Sequence, residues 1–152
     1  MNILLPIQRP YTDQIFQGFK SFEFRTRVPQ NLVSGDTIYI YESKAKGGVG
    51  KVIGQAKLKE ILSIPKNEPL SFLMELYAES YAQQETRSHV SCEEWGRQIG
   101  YINKWGVCVW NYAIQLTEVQ RYTIPKDLHE FEGVNGTLMK APQSFCYIPN
   151  SK

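Results

Sequence analysis

Residues 37–62, TIYIYESKAKGGVGKVIGQAKLKEIL, constrain the fold more than any other stretch, because two runs with the period of a β-strand flank a glycine-rich loop. In TIYIYE, Ile38 and Ile40 alternate with Thr37, Tyr39 and Tyr41. Beyond the loop, Gly54, Ala56 and Leu58 alternate with Gln55, Lys57 and Lys59. A chain that leaves one strand and enters another within so few residues is set up for an antiparallel pair.

The loop itself, KGGVGK at 46–51, has the glycine and lysine spacing of a nucleotide-binding P-loop. That chemistry needs a Ser or Thr hydroxyl for magnesium and a helix opening directly behind the loop, whose free amides complete the anion site. Val52 stands where the hydroxyl belongs, and a strand period follows where the helix should begin. The loop therefore reads as a turn between strands, one that can still attract anions through its amides and Lys44, Lys46 and Lys51.

The rest of the chain supplies more strands and three helices. Residues 2–5 read as a short strand, and Pro6 and Pro10 lead into a brief helix, YTDQIFQG, closed by Gly18. SFEFRTR at 21–27 places Phe22, Phe24 and Thr26 on one face and Ser21, Glu23, Arg25 and Arg27 on the other, a half-buried strand presenting charge. From Glu68 to about Gln84, Leu70, Leu73, Leu76 or Tyr77, and Tyr81 recur at helical spacing. Ser91 with Glu94 forms a capping-box pair that starts a second short helix through Trp95 and Ile99, ended by Gly100. WGVCVWNYAIQLTEVQRY, rich in aromatic and β-branched residues, predicts one long strand from about 105 to 117. The tail, with Gly133, Gly136, Pro142 and Pro149, reads as irregular. This order gives an α+β fold with a small mixed or antiparallel barrel.

Several function classes are set aside by what is missing. Three cysteines, Cys92, Cys108 and Cys146, are odd in number and contain no C-x-x-C pair, which favours neither a disulfide framework nor a zinc site and points to a reducing, cytoplasmic setting. The apolar run in MNILLPIQRPY is short for a signal peptide, and no run of about 18 apolar residues is present. His89 and Cys92 form H-x-x-C, but a zinc deaminase needs H-x-E and P-C-x-x-C. His129 is the other histidine. No metal, cofactor or membrane partner is expected. The net charge is only +2, yet Lys20, Arg25, Arg27 and five further lysines crowd into the first 60 residues.

Three segments together resemble the ASCH domain family, a branch of the PUA-like barrels. The first is YTDQIFQGFKSFEFRTR, a helix followed by a Gly-x-Lys-Ser turn and a strand carrying Glu and Arg: Gly18, Lys20, Ser21, Glu23 and Arg25. The second is GDTIYIYESKAKGGVGKVIGQAKL, with its GD turn, tyrosine-ended strand, basic loop and following strand. The third is APQSFCYIP near the C-terminus. The resemblance covers about residues 3–62 and 100–148 and implies a single domain over 1–152, with a helical insertion at about 66–100.

The resemblance implies a cleft that binds RNA or a modified nucleoside. Lys20, Ser21, Glu23 and Arg25 would line it, Arg27 and the loop lysines Lys44, Lys46 and Lys51 would meet phosphate, and Tyr39, Tyr41, Trp110 or Phe145 would stack on bases. Some family members are amidohydrolases that remove the acyl group from N4-acetylcytidine with a Lys, a Thr and a Glu. Lys20 matches the first, Glu23 stands where the Thr belongs, and Glu85, Glu93 and Glu94 are candidates for the third. A Lys beside a carboxylate can act as a base if burial lowers its pKa. The leading expectation is binding of RNA or a modified nucleoside; the alternatives are an amidohydrolase acting through Lys20 and Glu23, and a protein-interaction module whose aromatics are core.

Overall fold

The computed structural model describes residues 1–81 and 90–149. Glu85, His89 and the end of the predicted helix up to Gln84 lie outside the described residues. The strands are β1 (Asn2–Ile7), β2 (Phe22–Arg25), β3 (Thr37–Glu42), β4 (Lys51–Ser63), β5 (Tyr112–Lys126), β6 (Glu132–Gly133), β7 (Gly136–Thr137) and β8 (Cys146–Ile148). The helices are α1 (Tyr11–Phe16), α2 (Pro69–Tyr81) and α3 (Cys92–Gln98). Six strands form one mixed sheet in the order β2-β5-β4-β3-β1-β8, with β1 parallel to β3 and the other neighbours antiparallel. The α+β class and the mixed sheet are as expected. Among the described residues no backbone pairing closes the sheet into a barrel.

The glycine-rich loop joins antiparallel β3 and β4, with Tyr41 opposite Val52 and Glu42 opposite Lys51. Strand, not helix, follows it, so the P-loop is excluded by fold as well as by sequence. A Cβ at position 48 would lie 1.7 Å from the Ser43 carbonyl oxygen, which is why glycine is needed there.

Alternation along the central strands feeds two cores. Ile3, Leu5 and Ile7 of β1 and Ile38 and Ile40 of β3 pack with Ile15 of α1. From the opposite face, Leu4, Tyr41 and Val52 pack with Leu128, Phe131 and Ile148. A strand covered on both sides loses its polar positions, and NILLPI reads accordingly. A third cluster joins Phe22 and Phe24 of β2 to Leu73 and Leu76 of α2 and Trp95 and Ile99 of α3. Leu70, expected on the apolar face of α2, is instead exposed.

The strand expected from about 105 begins only at Tyr112. The Asn103 Oδ1 accepts from the backbone N–H groups of Trp105 and Val107 at 2.9 and 3.1 Å, and Gly106 sits at φ +77°. These bonds consume donors that a ladder would use, so a rigid turn displaces the strand that β propensity favours. Register shifts along β4 and β5 mark bulges, which bend a sheet and help it curl. The curl brings β2, at one edge, beside the end of β1. There a side chain bridges the two: the Arg25 guanidinium donates to the Pro6 carbonyl of β1 and, at 3.2 Å, to the Ser144 carbonyl.

Candidate functional site

A pocket of ≈ 320 Å³ opens at this seam, between β2, the end of β1, α1 and Gly100 just beyond α3. Its floor is Lys20, which the sequence places in the turn between α1 and β2. Gly18, at φ +77°, ends α1, and the backbone N–H groups of Phe19 and Lys20 both donate to the Gln14 carbonyl. The turn is then docked against α3: Trp95 Nε1 donates to the Phe19 carbonyl at 3.1 Å, and Gln14 Nε2 to the Gln98 carbonyl at 2.8 Å.

Lys20 is only 2% exposed. Its Nζ donates to the Ile99 carbonyl at 2.6 Å and lies 3.2 Å from Glu23 Oε1. Ile99 ends α3, where carbonyls lack intrahelical partners and a cation is favourable, so the amine serves the last turn of that helix. The Tyr11 ring centroid is 4.1 Å from Nζ. Burial pushes the Lys20 amine below its ordinary pKa; the attraction and hydrogen bond of Glu23 oppose the shift, and Arg25 adds to it. Glu23, 7% exposed, gives its second oxygen to the Arg25 guanidinium at 3.0 Å. The charge that β2 presents is therefore taken into the protein, with Glu23 buried and Arg25 half-buried. The strand tolerates this because each charge has an opposite neighbour.

Tyr11 and Trp110 wall the pocket, and Gly100 lets them approach. At φ +81°, a Cβ on Gly100 would lie 2.8 Å from the Tyr11 ring, and the Gly100 carbonyl accepts from Trp110 Nε1 at 2.7 Å. Burial raises the Tyr11 pKa, with Glu23 adding to the effect. Gln8, Ser43 and Gln143 add polar groups to the lining.

Of the residues expected from sequence, Lys20, Glu23, Arg25 and Trp110 meet here, whereas Tyr39 packs edge-on against Phe131 away from the pocket. Ser21 turns to α2, its Oγ 3.3 Å from that of Ser80. Tyr41 is buried in the core between β1, β3 and the chain beyond β5. Arg27, Lys44 and Lys46 are exposed away from the pocket lining, and Lys51 pairs with Asp127 at 3.2 Å. Phe145 packs on the first core and against Tyr147, their ring centroids 6.0 Å apart. Glu93 and Glu94 engage Arg97, and the Ser91 cap receives the Glu94 N–H as expected, although the Glu94 carboxylate turns forward to Arg97 and Gln98. Tyr11, Gly100 and Gln143 were not singled out as site residues. Gln143 falls inside the APQSF stretch of the resemblance, whereas Tyr11 looked like one more helical aromatic.

A second buried carboxylate lies nearby. Glu42, 1% exposed, accepts from Arg9 Nε at 2.9 Å, Thr12 Oγ1 at 2.7 Å and the Val49 N–H at 3.1 Å. Burial alone would raise its pKa, but these three donors outweigh it and hold the carboxyl below its ordinary value. The network ties α1 to the glycine-rich loop. Among the described residues, no three His, Cys, Asp or Glu side chains gather closely enough to hold a metal ion, and no helix is long and apolar enough to cross a membrane.

Comparison with known proteins agrees with this architecture. The chain superposes on the crystal structure of the ASCH protein from Zymomonas mobilis with a TM-score of 0.58 at 21% identity, covering 97% of this chain and 87% of that one. A Tyr-to-Phe variant of the same protein gives 0.59 at 20% identity, covering 97% and 90%, and a Ser-to-Ala variant 0.58 at 19%, covering 97% and 88%. At such identities the likeness speaks for the fold. None of the curated proteins compared matches the chain. The sequence profile of the ASCH domain, however, matches residues 5–136, which include the Lys20 turn, the glycine-rich loop and most of the sheet that frames the pocket. The chain belongs to the ASCH domain family.

Proposed function

We propose that the Lys20 pocket binds a single nucleoside, either a free modified one or a base splayed out of an RNA strand. The observation that carries this reading is a small pocket with two aromatic walls and a buried Lys–Glu pair as its floor. Its ≈ 320 Å³ lies at the lower end of the roughly 300–1,000 Å³ typical of small-molecule sites, room for one nucleoside and not for a run of nucleotides. Aromatic walls suit an unstacked base, and the polar floor and mouth suit its hydrogen-bonding edge. Arg25 spends donors on the Pro6 and Ser144 carbonyls, so its part is to hold the seam. Contacts to the base then fall to Lys20, the Tyr11 hydroxyl and the mouth residues Ser43, Gln8 and Gln143. For an RNA ligand, the exposed Arg27, Lys44 and Lys46 supply attraction for phosphates.

One observation favours a second reading, hydrolysis of an N4-acylated cytidine with water to give cytidine and the carboxylic acid. Burial holds the Lys20 amine below its ordinary pKa, 3.2 Å from a carboxylate that can share its proton, and a lowered pKa is the direction that helps an amine work as a base. An open pocket over Lys20 counts against the third reading, a protein-interaction module with a closed, dry Lys20 region.

The test is calorimetric titration with cytidine, N4-acetylcytidine and the other nucleosides, with chromatography of each mixture. One-site binding that Lys20→Met abolishes supports the pocket; cytidine release abolished by the same change makes it an amidohydrolase. No binding by the folded wild-type protein overturns both readings.

A further inference from the structure

Behind the wall formed by Tyr11, Gly100 and Trp110 lies a second pocket of ≈ 390 Å³, lined by Val107, Val109 and Lys104. The two pockets share the three wall residues and so adjoin across them, the charged floor at Lys20 on one side and an apolar shelf on the other, with Trp105 just outside both linings. The shelf belongs to the Asn103–Val107 turn, which is built to keep its shape. Asn103 N–H donates to the Val107 carbonyl at 3.0 Å, its side chain accepts two backbone donors, and Gly106 supplies the left-handed residue. That rigid turn holds Trp105 out with 75% of its surface exposed, the Lys104 Nζ 4.8 Å from the ring centroid. Val107 and Val109 are 52% and 60% exposed beside it. A turn this constrained around an indole that stays three-quarters exposed has little account in the stability of the fold.

We infer that the Asn103–Val107 turn is the subsite for the neighbouring nucleotide of a single-stranded RNA whose next base occupies the Lys20 pocket. This rests on the nucleoside reading of that pocket and names its ligand class: a strand, not a free nucleoside. An indole is a strong stacking platform for an unpaired base, and it accepts any sequence because every base has a π face. Lys104 provides the positive charge for the phosphate between the two nucleotides; Arg97, also at the shelf, is engaged by Glu93 at 2.7 Å and contributes less. An acidic peptide would also meet Lys104, but the adjoining nucleoside-sized pocket favours the nucleotide.

The experiment compares a short single-stranded oligoribonucleotide, the corresponding single nucleoside and an acidic peptide of equal charge, by fluorescence anisotropy and calorimetry, on the wild-type protein, Trp105→Ala and Lys104→Ala. The expected result is that the oligoribonucleotide binds more tightly than the nucleoside. Trp105→Ala should then weaken the oligoribonucleotide by roughly tenfold while leaving the nucleoside unchanged. Lys104→Ala should weaken it less and flatten its salt dependence. Equal affinity for oligoribonucleotide and nucleoside, or no effect of Trp105→Ala, overturns the subsite and leaves the Lys20 pocket standing. Loss of nucleoside binding in Trp105→Ala, or tighter binding of the peptide than of the oligoribonucleotide, also overturns it. Failure of the nucleoside and the oligoribonucleotide alike to bind the wild-type protein removes the pocket reading and this one together.

Discussion

Two buried glutamates, each beside an arginine, stand at neighbouring corners of this molecule and do different work. Glu42 is 1% exposed and saturated: a guanidinium, a hydroxyl and a backbone N–H fill its oxygens, and its charge is well satisfied. Glu23 is 7% exposed and shares its charge with two cations, one of them a lysine that is itself buried and whose pKa burial lowers. Around Glu42 the chain closes; over Glu23 and Lys20 it opens into a pocket. Burying an anion with enough donors makes a clasp. Burying a cation as well, where water can still reach one side, makes a site that a ligand can complete.

Breaking the open cluster should have the larger effect. Glu23→Gln removes the partner of both Lys20 and Arg25 and should destabilise the fold by about 3–5 kcal/mol. The penalty should shrink as pH rises. With Lys20 already below its ordinary value of 10.5, the unfolded chain binds more protons than the folded one between the lowered pKa and 10.5, so stability climbs with pH through that window. Urea denaturation at a series of pH values reads both effects.

Breaking the clasp should cost less and depend on pH in the other sense. Glu42→Gln should lose roughly 1.5–3 kcal/mol at neutral pH, the range for hydrogen bonds to a charged group. Because the folded pKa lies below the ordinary 4.5, that contribution is complete above 4.5 and is lost as pH falls through the lowered value, where wild type and variant should converge in thermal melts. Nucleoside binding should survive, since Glu42 does not line the pocket.

Gly100→Ala probes the wall between the two clusters' common helix, α1, and the pocket. It should cost about 1–2 kcal/mol for a left-handed residue, and should also shift Tyr11 and weaken nucleoside binding. Ser91→Ala, which removes the cap of α3, should cost about 1 kcal/mol and leave binding unchanged, a control for stability alone.

The fold was legible where period and punctuation agree. The β3–β4 pair, α1 ending at Gly18 and the Ser91 cap all follow from local chemistry that tertiary packing did not need to override. It was illegible where a side chain competes with the backbone, as at Asn103, whose two accepted hydrogen bonds turn an apparent strand into a turn. The site divides in the same way. Lys20, Glu23 and Arg25 are three residues of one turn and strand, so sequence brought them together. Gly100 and the Ile99 carbonyl come from the end of α3, and no local signal announces that α3 will dock beside Tyr11 and the Lys20 turn. Tyr41 shows the reverse error of eye: alternation put it on the polar side of β3, but that side is covered by Leu128 and Phe131.

The most direct measurement is an NMR titration of the Lys20 side chain with pH, alone and with N4-acetylcytidine. The account predicts a midpoint below 10.5 in the free protein and a shift of the Lys20 resonance when the nucleoside binds. A lysine that titrates at 10.5 and ignores the nucleoside would contradict it.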